Sequence, residues 1–293
     1  MRLRRALGPP LFDIVGLADA GWDHLSPTDF QLFLQRRLLA LSPLPMTNMS
    51  GPVWCRCFED SIARRVDLRQ HRFHDRGCAL CGPLRTECHN AIVGRVVQFV
   101  RSLLAEAHIK IEPRFEDPER PDLVLGPNIP GELRPDVQIL YHGVALYVDV
   151  SVVDPAAAKY LRDHQSHLYE GAAATAQEKV KDAKYEQLCH NSFMAGQFYP
   201  FVLEATGRLG GSARQFMRAV TKLSREHPAT HLGSSLEWDV EEMHETSGTD
   251  QERFLVHDIA VINAKYGSKM TKHVLNHIFQ AHKTEAALPY PDG

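Results

Sequence analysis

Residues Val144-Ala145-Leu146-Tyr147-Val148-Asp149-Val150-Ser151-Val152 form a β-branched and aromatic run, apolar on both faces except at Asp149 and Ser151. Such a run reads as a strand. Side chains alternate along a strand, so Asp149 and Ser151 point the same way. A carboxylate embedded in so apolar a strand is costly unless a charged or hydrogen-bonding group sits beside it. A candidate partner is close in sequence. Val137-Gln138-Ile139-Leu140 reads as a shorter strand, with Tyr141-His142-Gly143 as the turn between the two, and Arg134-Pro135-Asp136 precedes it. Twelve residues separate Asp136 from Asp149. Two carboxylates so spaced on consecutive strands can meet at one edge of a sheet and hold a magnesium ion against a phosphodiester. Taken singly, each has a plainer reading. An Asp after Pro is a turn or strand-start residue, and an Asp within a strand is an edge residue or the partner of an arginine. Together the two point to a metal site.

Composition narrows the surroundings of such a site. The chain has 293 residues, 44% of them hydrophobic, enough for one core plus appendages. Its formal net charge of -3 excludes a wholesale nucleic-acid coat, so any polyanion must be met by a local basic surface. No apolar run approaches the roughly 20 residues of a membrane span. Met1-Arg2-Leu3-Arg4-Arg5 is basic, but no sufficient apolar stretch follows, so no secretory signal is expected. Of six cysteines, all but Cys189 fall between 55 and 88, among several histidines. In a chain read as lacking an export signal, that clustering suggests metal binding rather than disulfides.

The pattern divides the chain into four parts: a helical lead (1–50), a Cys/His module (51–90), an α/β domain (91–226) and a tail that is first acidic and then helical (227–293). In the lead, Ser26-Pro27-Thr28-Asp29 caps an amphipathic helix through Phe30, Leu34 and Leu38. In the α/β domain a helix is expected at about 90–106, from Ile92, Val93, Val96, Val97 and Val100. A strand follows at 109–115, then a loop rich in Pro, Asp and Glu at 116–135. After the two central strands come a long helix at 164–190, a strand at 198–204 and a helix at 211–225. In the tail, two helical stretches are expected near 251–263 and 268–283.

Cys55-x-Cys57, sixteen intervening residues and His74-x3-Cys78 supply four soft ligands in two pairs, the arrangement a tetrahedral zinc ion requires. Cys78, Cys81 and His89 form a competing triplet, and free cysteines in a loop-rich segment are the plainer alternative. Phosphodiester cleavage also needs a cation near the developing charge. The simplest position for a lysine, two residues after Asp149, holds Ser151. The long helix instead presents Glu178, Lys181 and Tyr185 on one face, with Lys179 and Lys184 on others. A surface-helix lysine is ordinarily just solvated. Glu112 can add a third carboxylate or be an exposed strand residue.

Four motifs occur in order: the knuckle ending His74-x3-Cys78, the Arg134-Pro135-Asp136…Asp149-Val150-Ser151 pair, Glu178-x2-Lys181-x3-Tyr185, and Phe198-x-Pro200-Phe201-x2-Glu204-x2-Gly207. Together they resemble the C-terminal region of non-LTR retrotransposon polyproteins that carry a restriction-like endonuclease. Ser26-Pro27-x-Asp29-Phe30…Arg36-Arg37-Leu38 is similar to the stretch linking polymerase to knuckle, so the resemblance spans about residues 26 to 225. It implies a PD-(D/E)xK nuclease fold with an αβββαβ core, preceded by a zinc knuckle and carrying helical extensions. It implies nicking of nuclear target DNA to prime reverse transcription, with DNA and the element's RNA as partners. In such elements the catalytic lysine is displaced from the strand onto the following helix, which assigns that role to Lys181. Asp136 and Asp149 are then the Mg²⁺ ligands, with Glu112 as a candidate third. Cys55, Cys57, His74 and Cys78 are the candidate Zn²⁺ ligands, and Tyr185 is expected to pack beneath the site. The sequence departs from the pattern in three respects. Cys88-His89-Asn90 stands where related sequences have Arg-His-Asn, the knuckle opens C-x-C, and no polymerase-sized region precedes it. An inactive nucleic-acid-binding remnant is the alternative these departures raise.

Overall fold

The computed structural model describes residues 26, 54, 55, 57, 66, 67, 77–113, 134–190, 196–227 and 240–286. Almost all of the expected helical lead, and His74, lie outside them. Two short strands, β1 (Trp54–Cys55) and β2 (Val66–Asp67), pair antiparallel. A 3-10 turn (Ala79–Cys81) runs into α1 (Gly82–Leu103), followed by β3 (His108–Ile111), β4 (Val137–Tyr141) and β5 (Val144–Val153). Then come α2 (Ala158–Asp163), α3 (Ala172–His190), β6 (Gln197–Glu204), α4 (Gly211–Glu226) and α5 (Val240–Ala286).

The apolar run at 144–152 is the backbone of a four-stranded mixed sheet in the order β3-β4-β5-β6. β3, β4 and β5 are antiparallel neighbours, and β6 joins β5 in parallel. β4 and β5 form a hairpin whose two turn residues, His142 (φ 46) and Gly143 (φ 77), are both left-handed. That backbone matches the twist of the flanking strands. It fixes the register at Val137↔Val148, which carries Asp136 to the level of Asp149. Pro200 is tolerated because β6 is an edge strand.

The alternation along β5 sorts the molecule into three layers. Leu146, Val148 and Val150 pack with Ile139, Phe201 and Leu203 against α1, α4 and α5. The opposite face, which carries Asp149, is covered by α3; there Val153 and Val202 meet Tyr160, Ala173, Ala174 and Ala176. Alanines at that contact let α3 lie close to the sheet, within reach of Asp149. Each fully buried large side chain, such as Ile92 or Phe216, contributes about 1.5–3 kcal/mol of transfer free energy.

Several element boundaries differ from the sequence reading. α1 begins at Gly82 rather than near Asn90, because Pro83 fits the first turn of a helix. Cys88 and His89 therefore belong to α1 and not to a knuckle loop. β3 stops at Ile111; Glu112 has φ 48, and Pro113 follows. The helix expected over 164–190 starts only at Ala172, because Gln165 (φ 50) and Gly171 (φ 74) turn left-handed before it, and the short α2 precedes the expected range. The two helical stretches of the tail are one helix, α5, running through Gly267. A helical glycine costs about 1 kcal/mol relative to alanine, less than the burial of Leu255, Ile259, Met270 and Val274 in the main core supplies. Among the described residues, no helix is long and apolar enough to cross a membrane.

Candidate active site and cysteine cluster

The β4–β5 ladder ends at Val137↔Val148, and Asp136 stands just beyond it. The Val150 amide, lying past that last rung, donates to Asp136 Oδ2 at 2.5 Å. The Asp136 side chain thus substitutes for a strand carbonyl, which brings its carboxyl beside Asp149. The two groups are close enough to act on each other's ionisation.

Asp149 is 5% exposed and faces α3. Lys181 Nζ donates to Asp149 Oδ2 at 2.5 Å and to the Val150 carbonyl at 3.4 Å. Burial pushes the Asp149 carboxyl up, the Lys181 charge and hydrogen bond pull it down, and Asp136 pushes it up again; the net direction is upward. Burial also acts to raise Asp136, but the His89 hydrogen bond and charge, the Val150 amide and Asp149 together hold it below the usual carboxylate range. Tyr185 is fully buried, as expected beneath the site. Its hydroxyl donates to the Arg134 carbonyl at 2.5 Å, tying the residues before Asp136 to α3. Burial, with Asp149 and Asp136 adding to it, keeps that phenol protonated.

His89 is the residue the sequence reading missed here. From α1, on the opposite layer from Lys181, its Nε2 lies 3.1 Å from Asp136 Oδ2. Its Nδ1 lies 3.3 Å from Asn90 Oδ1. As the Asn90 amide is oriented, both ring nitrogens face oxygen acceptors, which suits the imidazolium. The Asp136 hydrogen bond raises the His89 pKa against burial and the Lys181 charge. The signal was available: once α1 starts at Gly82, His89 shares the helix face of Ile92 and Val96. The result is a row of four groups, His89–Asp136–Asp149–Lys181, in which two cations bracket two carboxylates.

Glu112 approaches by its main chain only. Its amide donates to the Asp136 carbonyl at 2.8 Å, and its side chain is exposed. Among the described residues, no third Asp, Glu, His or Cys forms with Asp136 and Asp149 a group whose ligand atoms all lie within 4.8 Å of one another. Glu178 shares the inward face of α3 with Lys181 but turns elsewhere. Its Oε1 accepts the Ser212 amide at 2.8 Å, at the first turn of α4. Gly210 permits this, since a Cβ there would stand 2.2 Å from Glu178 Oε1. Glu204 closes a matching contact: its Oε1 accepts the Ala174 amide at 3.2 Å, at the first turn of α3. Both glutamates are helix caps.

The second cluster lies at β1. The sulfurs of Cys55, Cys57 and Cys78 all fall within 4.8 Å of one another and can hold a metal ion. Zinc–thiolate bonds of about 2.3 Å in a tetrahedron space sulfurs at about 3.8 Å, and Cys55 and Cys78 stand at 3.6 Å. The donor set suits zinc. The hydrogen bond to Cys78 and then burial push the Cys55 thiol up, while burial leads for Cys57, so without a cation both stay protonated. Arg85 anchors the cluster by donating to the Cys78 carbonyl at 2.5 Å. The competing triplet of Cys78, Cys81 and His89 does not assemble. Cys81 is buried against α5, its thiol 3.7 Å from the Met270 carbonyl, and His89 faces Asp136. No protein-family model and no curated protein matches this chain.

Proposed function

We propose that this chain is a metal-dependent DNA endonuclease of retroelement origin, with a restriction-like PD-(D/E)xK core, that nicks target DNA for target-primed reverse transcription. One observation carries the reading: Lys181, from the helix after the strand pair, meets Asp149 at 2.5 Å beside Asp136. The run α1-β3-β4-β5-α3-β6 also follows the αβββαβ order of that core, with the short α2 inserted.

Asp136 and Asp149 would hold one or two Mg²⁺ ions, hard cations suited to carboxylate oxygens. When bound, the metal supplies a water nucleophile and polarises the phosphate. Lys181 offsets the negative charge that develops on the attacked phosphate, as its ammonium group already does for Asp149. Tyr185 fixes the approach of Arg134-Pro135-Asp136 to the sheet. Cys55, Cys57 and Cys78 would hold Zn²⁺ with His74 as fourth ligand, and arginines of the 56–85 stretch would contact phosphates, making binding strongly salt-dependent. DNA in the nucleus is then the substrate, and the element's RNA a further partner.

A plasmid-nicking assay tests this. Nicking is expected with Mg²⁺, abolished by EDTA and by Asp149→Ala. Nicking that survives Asp149→Ala belongs to another protein and removes the proposal. The alternative is a non-catalytic nucleic-acid-binding remnant whose working part is the cysteine cluster. It is favoured by the pairing of both carboxylates with internal cations, and predicts salt-sensitive DNA binding, one zinc per chain and no nicking.

A further inference from the structure

We propose that His89 is a positioning residue of the carboxylate pair: its ring N–H holds Asp136 by Oδ2, so that the second oxygen of Asp136 is presented to the divalent cation. The proposal rests on the endonuclease reading above.

Three features of the geometry lead to it. First, the two donors to Asp136, His89 Nε2 at 3.1 Å and the Val150 amide at 2.5 Å, converge on the same oxygen. A carboxylate pinned through one oxygen by two donors from different elements loses its rotation about the Cβ–Cγ bond. Its other oxygen then has one direction to face. Second, the donors come from different layers of the fold. Val150 belongs to the sheet and His89 to α1, whereas Lys181 reaches Asp149 from α3. Asp149 is oriented by a cation that its own covering helix supplies, and Asp136, beyond the last β4–β5 rung, is met from the sheet by main-chain groups, the Glu112 amide on its carbonyl and the Val150 amide on its side chain. His89 supplies the orientation that the strand end cannot. Third, the position is a half-open one. The side chains of His89 and Asp136 are 33% and 16% exposed, against 13% and 7% for Lys181 and Asp149. Solvent therefore reaches the pair from the His89 side, where a hydrated cation would arrive.

Residues that orient a metal ligand typically cost 10–100-fold in metal affinity when removed. The experiment is Mn²⁺ binding to the full-length, zinc-loaded chain, followed by electron paramagnetic resonance of the free ion, with Asp149→Asn as the reference for the site. Wild type is expected to bind Mn²⁺ at a site that Asp149→Asn removes. His89→Ala is expected to weaken that binding by about ten-fold or more, and His89→Gln, which restores an N–H donor of similar reach, to recover most of it. Unchanged thermal unfolding of His89→Gln separates this effect from loss of fold. Equal Mn²⁺ affinity in wild type and His89→Ala overturns the positioning role and leaves the nuclease reading standing. Absence of any Mn²⁺ site dependent on Asp149 overturns both.

Discussion

Four acids share the layer between the sheet and α3, Asp149, Glu178 and Glu204 buried and Asp136 partly so, and they differ in what chiefly satisfies them. Glu178 and Glu204 are held chiefly by backbone amides, Ser212 for one and Ala174 for the other, at the first turns of α4 and α3, with Arg208 Nε a further 3.8 Å from Glu204 Oε2. Asp136 and Asp149 are held chiefly by side-chain cations, His89 and Lys181, and stand beside each other. A backbone amide cannot leave without unwinding its helix, so the glutamates are fixed parts of the architecture. The donors to the aspartates are chiefly side chains, so the aspartates close no helix end. A buried acid thus reports its role through the kind of donor that neutralises it.

The largest expected effect falls on the aspartate pair. Asp149→Asn should lower plasmid nicking by about 10³-fold or more, the scale of losing a preorganised charge at a reacting phosphate. The amide oxygen can still accept from Lys181, and Asp136 stays nearby as a counter-charge, so thermal unfolding should move less than in Lys181→Met; a collapse of the fold would place Asp149 with the glutamates. Lys181→Met leaves Asp149 buried and uncompensated and should destabilise by about 3–5 kcal/mol in denaturant titrations. Adding Asp149→Asn to Lys181→Met should restore most of that loss, because the uncompensated charge is gone. If the double variant is no more stable than Lys181→Met alone, the two side chains are not coupled as described.

The architectural pair should respond in stability and not in chemistry. Glu204→Ala strands the Ala174 amide and Glu178→Ala strands the Ser212 amide, each for about 1–3 kcal/mol. Nicking by the fraction that remains folded should equal that of wild type. Loss of nicking with an unchanged unfolding midpoint would erase the distinction between the pairs.

The smallest effect is on pH dependence. Burial, ahead of the amide hydrogen bonds that oppose it, holds both glutamates above their usual value of 4.5. The folded chain then binds protons that the unfolded chain releases. The stability this supplies is complete below about pH 4.5 and is lost as pH rises through the folded values. Between pH 7 and pH 5, the midpoint of wild type should therefore gain on that of Glu178→Gln/Glu204→Gln. Asp136 works in the other sense: held below 3.8, it contributes above that value and its contribution disappears as pH falls through the folded value. Parallel midpoint curves for wild type and the double glutamine variant would mean the glutamates are not perturbed.

Much of this site could be read from local pattern. Period-two alternation put Asp149 and Ser151 on one face of β5, and the turn length fixed the register that brings Asp136 alongside. Helical spacing put Glu178, Lys181 and Tyr185 on one face of α3, and all three do point inward. Shared orientation did not reveal which partner each would find. Glu178 and Lys181 differ by one turn of helix, and that turn separates an α4 cap from the carboxylate pair. His89 was hidden for a different reason. Cys88 precedes it directly, and it lies 47 positions before Asp136, so no local period connects them. The unbroken α5 was likewise concealed at Gly267, where intrinsic propensity points to an interruption and burial against α1 outweighs it.

Strands, faces and the approach of the two aspartates follow from period and turn chemistry, which act over a few residues and so are written in the chain. The choice among donors for each buried acid, amide or ammonium or imidazole, waits on how the three layers stack. Helix placement on the sheet decides it, through contacts between segments that share no period.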